Sequence, residues 1–265
     1  MFDSEGNAEA AMETGRRDFE VSLPIGFQDS AGALHRRAVL RKMRGHEEAV
    51  LYDPSISGGA LVTALLTGCL VRLGELPSVT RETVSGLYSA DRNFLLLELR
   101  RITLGDRMPA VYPCSVCGAR VSVLEDLGTL PVRRLVADES PPEIHLTLAD
   151  GYIDRQGTCH TELALTLPRG VDEEFVAPMV AKDPLKGQDA LLLRCIRRFG
   201  DLPRATLEAY GVKILWDLTL GDRRRLQRAF NKGTPGVDFM RPVFCDACGT
   251  EFSGVLDVSH FFVEG

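Results

Sequence analysis

The chain has 265 residues, of which 45% are hydrophobic and 26% charged, and its 37 acidic and 31 basic side chains give a formal net charge of −6. This is the composition of an ordinary globular protein of one or two domains, and its acidic balance argues against broad electrostatic capture of nucleic acid. No run of roughly 18 apolar residues occurs, and no basic stretch leads into an apolar one at the start, so neither a membrane span nor a Sec signal is expected.

Residues 1–17 are polar and rich in Gly, Glu and Ala without an apolar period, which predicts a flexible tail. Phe19-Glu20-Val21-Ser22-Leu23 then alternates apolar and polar, as a half-buried strand does. The Gln28-Asp29-Ser30-Ala31-Gly32 turn and the Ala38-Val39-Leu40 return strand complete a hairpin. His46-Glu47-Glu48-Ala49-Val50 resembles a zinc-protease helix but has Val50 where the second histidine belongs, so it reads as exposed charge at a helix start. Leu61, Leu65, Cys69, Leu70 and Leu73 mark one face at helical spacing, with Gly74 as the stop. Asp91 suits the positive end of the next helix, which runs through Phe94, Leu95, Leu99 and Ile102 to Gly105. Ala110-Val111-Tyr112 and Val121-Ser122-Val123 predict short strands on either side of Cys114-Ser115-Val116-Cys117-Gly118. Residues 137–142, Ala-Asp-Glu-Ser-Pro-Pro, form an acidic linker.

Beyond the linker the pattern returns. Leu23, Gly26, Asp29, Gly32, His35, Leu40, Arg44 and Gly45 recur as Leu148, Gly151, Asp154, Gly157, His160, Leu165, Arg169 and Gly170. Cys69, Arg72, Gly74, Leu76, Pro77, Thr80 and Glu82 recur as Cys195, Arg198, Gly200, Leu202, Pro203, Thr206 and Glu208. Leu87, Asp91, Arg92 and Leu95 recur as Leu218, Asp222, Arg223 and Leu226, in register with a second knuckle, Cys245-Asp246-Ala247-Cys248-Gly249. The offset changes only between blocks, as loop insertions produce. The expected fold is therefore α+β, an internal duplication of a β-hairpin, several helices and a CxxC knuckle, with units at 18–136 and 143–265.

The chemistry concentrates in the two knuckles. A CxxC on a tight turn closed by glycine supplies two thiolates to a tetrahedral metal, and neither pair fills four positions alone. Cys114, Cys117, Cys245 and Cys248 are accordingly the candidate ligands of one structural zinc per chain, which would staple one unit to the other. Four thiolates leave no open position for water, so such a metal is structural rather than catalytic. The alternatives are a redox pair, an iron–sulfur cluster without its spacing signature, or metal shared with a partner chain. Cys69 and Cys195 read as small buried residues, and His35 and His160 as hairpin-shaping hydrogen bonders. No nucleophile elbow, P-loop or dinucleotide fingerprint is present, so no catalytic residue is assigned. The basic run His35-Arg36-Arg37, Arg41-Lys42 and Arg44 reads as a solvated strand face. Arg197, Arg198, Arg223, Arg224, Arg225 and Arg228 read as a polar helix face or a protein-docking surface. A zinc-ribbon nucleic-acid-binding protein is the alternative these arginines offer.

Asp91-Arg92-Asn93-Phe94-Leu95-Leu96-Leu97-Glu98-Leu99-Arg100-Arg101-Ile102-Thr103-Leu104-Gly105, followed by Tyr112-Pro113-Cys114 to Gly118, resembles the T4-family baseplate hub assembly chaperones. These are encoded in contractile phage tails and in extracellular contractile injection systems. Leu23-Pro24-Ile25-Gly26-Phe27 with Asp29, Gly32 and His35-Arg36, and Leu73-Gly74-Glu75-Leu76-Pro77 with Thr80, are similar to short proteins of the same clusters. The resemblance covers most of the first unit and, more faintly, the second, where Asn231-Lys232-Gly233 replaces the Ile-Thr-Leu-Gly ending. It implies a non-enzymatic role, with hub, spike or tape-measure proteins as partners. It also implies a place in the cytoplasm during assembly, either as a transient chaperone or as a part of the finished tail or injection particle.

Overall fold

The computed structural model describes residues 18–56, 58–136, 139–231, 234–258 and 261–262. The tail expected at 1–17 and linker positions 137 and 138 lie outside the described residues.

The first hairpin forms where the alternation places it, from β1 (Asp18–Gln28) and β2 (Leu34–Arg41). Its antiparallel ladder skips: Ser22 pairs with Arg37 but the next pair is Phe27 with His35, so residues 23–26 bulge out. Two helices follow, α1 (Gly45–Leu51) and α2 (Gly59–Cys69), and then a third strand, β3 (Leu70–Leu73), on the far side of β2. This corrects the expectation of a helix through Leu73. The β2–β3 pairing passes from Leu40–Leu70 to Val39–Arg72, so Val71 is an extra residue, and the slip turns Leu70 and Leu73 to the same face. A bulged strand thereby acquires an i, i+3 spacing that looks helical.

Next come α3 (Arg81–Gly86), α4 (Ser89–Leu104), the ribbon strands β4 (Arg107–Pro113) and β5 (Arg120–Asp126), a 3-10 turn at Leu127–Thr129, and β6 (Val132–Arg133). Thr80 caps α3, its hydroxyl accepting from the Thr83 N–H.

The remainder repeats this order up to the short strand, which here precedes the ribbon instead of following it. β7 (Ile144–Ile153) and β8 (Cys159–Leu165) make a hairpin whose ladder skips from Thr147–Glu162 to Tyr152–His160. Then follow α5 (Gly170–Lys182), α6 (Pro184–Cys195) and β9 (Ile196–Phe199), which pairs with β8 and replaces the expected helical ending as β3 does. Finally come α7 (Arg204–Asp217), α8 (Leu220–Asn231), β10 (Gly236–Val237) and the second ribbon, β11 (Met240–Cys245) with β12 (Thr250–Val255). The result is a mixed helix-and-strand, α+β, architecture with antiparallel sheets.

Asp91 and Asp222 stand near the starts of α4 and α8, yet their carboxylates do more than face a helix dipole. The bulges strip N–H groups of their ladder partners, and a buried N–H must find another acceptor. Asp91 accepts from Ile25 N at 2.8 Å and Gly26 N at 2.9 Å. Asp222 accepts from Ala149, Asp150 and Gly151 at 2.7–2.9 Å. Each carboxylate thus fastens a helix to the bulge of its own hairpin.

Among the described residues three apolar clusters result, two large ones and a small one of Ile25, Tyr88 and Leu167 that joins the two parts of the chain. One large core, built from Leu148, Leu163, Leu165, Ile196, Phe199, Ile214 and neighbours, draws only on the second part of the chain. The other large core holds Leu40, Leu66, Leu95 and Leu99 together with Val243, Leu256 and Phe261, so the second ribbon and the segment after it pack into the first core. Short strands β6 and β10 also pair with each other.

Candidate metal centre

The two ribbons carry the cysteines at their tips. In the first, Cys114 N–H donates to Ala119 O at 2.8 Å and Gly118 N–H to Cys114 O at 2.9 Å. In the second, Gly249 N–H donates to Cys245 O at 2.8 Å. Gly118 and Gly249 take φ of 75° and 70°, a left-handed conformation that turns the chain into the return strand directly after the second cysteine of each pair.

All four sulfur atoms lie within 4.8 Å of one another. Cys114 Sγ is 3.8 Å from Cys248 Sγ, and Cys117 Sγ is 3.7 Å from Cys245 Sγ. Disulfide sulfurs would stand at roughly 2.05 Å, so these are free thiols. Sulfurs at about 2.3 Å from the centre of a tetrahedron are about 3.8 Å apart, so the donor set fits a tetrahedral thiolate-bound ion. Cys114 and Cys245 are buried, whereas Cys117 and Cys248 face solvent.

The electrostatics point the same way. Backbone N–H groups of Cys117 and Val116 lower the Cys114 thiol. Thr250, through its hydroxyl and its N–H, brings Cys248 down to about 6. At Cys117 the Ala119 N–H favours the thiolate, but Cys248, burial and the other two thiols outweigh it and push the group up to about 12. Neighbouring thiols cannot all ionise by themselves, and a divalent cation among them removes that conflict.

Sequence reasoning missed what holds the ribbons against each other. Buried Glu125 on β5 accepts from Tyr112 Oη on β4 at 2.8 Å and from Arg241 Nε on β11 at 3.0 Å. The Tyr112 ring lies so close to Gly254 on β12 that a Cβ there would sit 2.4 Å from Cδ1. Burial, followed by the Glu125 acceptor, raises the tyrosine hydroxyl well above its usual range. A lone charged residue in an alternating ribbon carries no signal that it crosses to another one.

The other expected residues fall elsewhere. His35 Nε2 is 3.0 Å from Asp29 Oδ2 and His160 Nε2 is 3.1 Å from Asp154 Oδ2. Each Nδ1 accepts a backbone N–H, from Glu75 and Asp201, which leaves Nε2–H to donate to the carboxylate and pin the hairpin turn. Cys69 and Cys195 are fully buried, and burial pushes their thiols up to about 11 and about 12. Around α1, His46 and Glu48 are exposed as expected, but Glu47 is buried and binds Arg41 through both carboxylate oxygens.

The basic clusters are largely engaged. Arg36 donates to Ile25, Val136 and Glu139 carbonyls, Arg37 pairs with Glu20, and Arg223 pairs with Asp189. Arg197 and Arg198 lie on β9 and not on a helix.

The family model described as T4 bacteriophage base plate protein matches residues 75–263, which include both knuckles. The chain belongs to this family. As a base plate protein it has every element from α3 to β12 within the matched span, while β1, β2, α1, α2 and β3 precede it. No curated relative and no solved structure matches this base plate protein significantly. Among the described residues, no helix is long and apolar enough to cross a membrane.

Proposed function

We propose that this base plate protein is a non-enzymatic structural or assembly component of the hub of a contractile phage tail or phage-tail-like injection system. The family match is the observation that carries this reading. The engaged arginines support it over capture of nucleic acid, because cations tied to carboxylates and carbonyls release fewer counterions on a phosphate backbone.

Within that role we assign Cys114, Cys117, Cys245 and Cys248 as ligands of one structural zinc per chain. Sulfur spacing and the equal contribution of two thiols from each ribbon support the assignment. We further infer that 18–136 and 143–265 are copies of one unit. The matched bulges, the matched His–Asp pairs and the matched carboxylate clamps support that inference. Zinc would then sit near a pseudo-two-fold axis between the knuckles and fix how the two units present their surfaces to hub, spike or tape-measure proteins.

The test is genetic and biochemical. Deleting the gene is expected to stop base plate assembly, and the tagged protein is expected to copurify with hub or spike subunits. Normal particles from the deletion strain would sink the assembly role.

A further inference from the structure

The two parts of the chain meet away from the knuckles in a one-sided way. Helix α5, from the second part, covers a face of the first made by α2, α3 and α4. Its Glu173 reaches Arg92, which is fully buried, at 3.2 Å. Glu174 pairs with Arg81 at 3.0 Å and also accepts from the Thr63 hydroxyl. The approach is close: a Cβ on Gly59 would stand 2.8 Å from Glu174 N, and one on Gly58 2.9 Å from the Ala177 Cβ. Alongside, Ser89 N donates to Pro168 O and Gly170 N to Leu87 O.

The counterpart face of the second part has no such cover among the described residues. Arg223 occupies the place of Arg92: it donates to Leu215 O as Arg92 donates to Val84 O, and to Asp189 where Arg92 donates to Thr63. Here α6 and α8 border an open groove of about 450 Å³, lined by Leu185, Leu192, Leu220, Arg224 and Phe230 among others. Leu185 and Leu220 are 53% and 62% exposed, and Trp216, whose indole N–H donates to the groove residue Asp189, is 51% exposed. Adjacent large apolar side chains left in water mark an interaction surface.

The segment that would match α5 is α1, because Arg44-Gly45 and Arg169-Gly170 open the two helices in the same capped geometry. Glu173, Glu174 and Ala177, the docking residues of α5, then correspond to Glu48, Ala49 and Tyr52. All three are exposed, Tyr52 at 70%. Short as it is, α1 with its C-cap Tyr52 spans the whole docking stretch. Among the described residues, one chain therefore displays an uncovered donor helix and an uncovered acceptor groove. Leu185 stands in place of Gly59 and Tyr52 in place of Ala177, so both sides carry more bulk and α1 would ride higher over the groove than α5 rides over α2. Glu48 also supplies an acidic partner for Arg224 on the groove rim.

We propose that copies of this protein associate head to tail, α1 of one copy seated in the α6–α8 groove of the next. A heterologous contact of this kind builds rings or open chains according to its rotation. The proposal does not depend on the metal or on the base plate role.

Sedimentation of the full chain over a concentration series tests it. The wild type is expected to form dimers and larger species reversibly. The acceptor variant Leu220→Glu and the donor variant Glu48→Lys/Tyr52→Ala are each expected to be monomeric, with far-UV circular dichroism unchanged because the substituted side chains are exposed. Mixed together, they are expected to form a one-to-one pair and nothing larger, since one intact donor and one intact acceptor remain. A wild type that stays monomeric up to its solubility limit overturns the proposal. So does an oligomer that survives both variants, or a mixture that does not pair.

Discussion

A buried carboxylate that collects backbone N–H groups is a costly acceptor, and Asp91 and Asp222 resolve that cost differently. Burial raises Asp91 to about 6, against the opposing effect of the Ile25 and Gly26 N–H donors. At Asp222 burial also acts upward, but three N–H donors outweigh it and hold the group below the usual carboxylate range. Asp91→Asn keeps a single acceptor oxygen where two were used and turns an NH₂ toward the bulge. The expected loss is about 1–3 kcal/mol at pH 7. The pH dependence has a definite sign. A folded pKa above the unfolded value means that the native state binds the extra proton, so the wild type gains stability as pH falls from about 6 toward 4. Asparagine cannot follow, so the gap between wild type and variant should widen between pH 7 and pH 5 in urea melts. A constant gap would show that Asp91 titrates in its ordinary range. Asp29 and Asp154 behave oppositely, because the hydrogen bonds from His35 and His160 lower both. Their contribution is present above about pH 4 and is lost as pH falls through the lowered folded values. Asp29→Asn and Asp154→Asn should therefore flatten the steep acid limb of the stability profile. An unchanged limb would remove the pairs as its cause.

At the scale of elements, the third strand of each sheet turns on one glycine. Gly74 and Gly200 have φ of 52° and 51°, and a Cβ would lie 2.4 Å from His35 Nδ1 or 2.6 Å from His160 Nδ1. Gly32, with φ of 85°, has open space around the same position. Gly32→Ala should therefore cost only the conformational term, about 1–2 kcal/mol. Gly74→Ala adds displacement of a histidine that pins the hairpin, so its urea midpoint should fall further; equal midpoints would refute the steric part. This geometry also shows where the sequence was readable. The hairpins and ribbons followed from period-2 alternation, and α4 followed from its apolar face. The β3 and β9 strands did not, because a bulge gave Leu70 and Leu73 the spacing of a helix. Four thiols in two CxxC pairs announced themselves by spacing. The Glu125–Arg241 tie did not, because its partners stand far apart in the chain and each is ordinary in its own strand. The same holds for Glu47, whose burial depends on Arg41 lying across it.

For the whole molecule, the proposed zinc site and the two larger cores predict how removal of such an ion would propagate. The second ribbon enters the first core through Val243, with Leu256 and Phe261 behind it. The other core contains no ribbon residue. Stripping the ion with a chelator should therefore loosen the first core and leave the second nearly as stable. The chain has one tryptophan, Trp216, on α7, and its indole N–H donates to Asp189 on α6 at 2.7 Å. Tryptophan fluorescence consequently reports on the second part, whereas far-UV circular dichroism reports on the whole chain. With metal bound, both signals should unfold near one midpoint. After chelation, or in Cys245→Ser, the dichroism should acquire an earlier transition while the fluorescence midpoint moves little. Under the proposed assignment, zinc content should fall from one per chain to a small fraction in Cys245→Ser. Structural zinc in isolated knuckle-bearing peptides contributes on the order of 10 kcal/mol of apparent binding free energy, so part of the first core should unfold outright without it. Equal shifts in both probes would mean that the two cores form one cooperative unit and that the ion stabilises the molecule as a whole. Unchanged melts after complete metal removal would mean that the Glu125–Arg241 tie and the shared core hold the ribbons together without the ion.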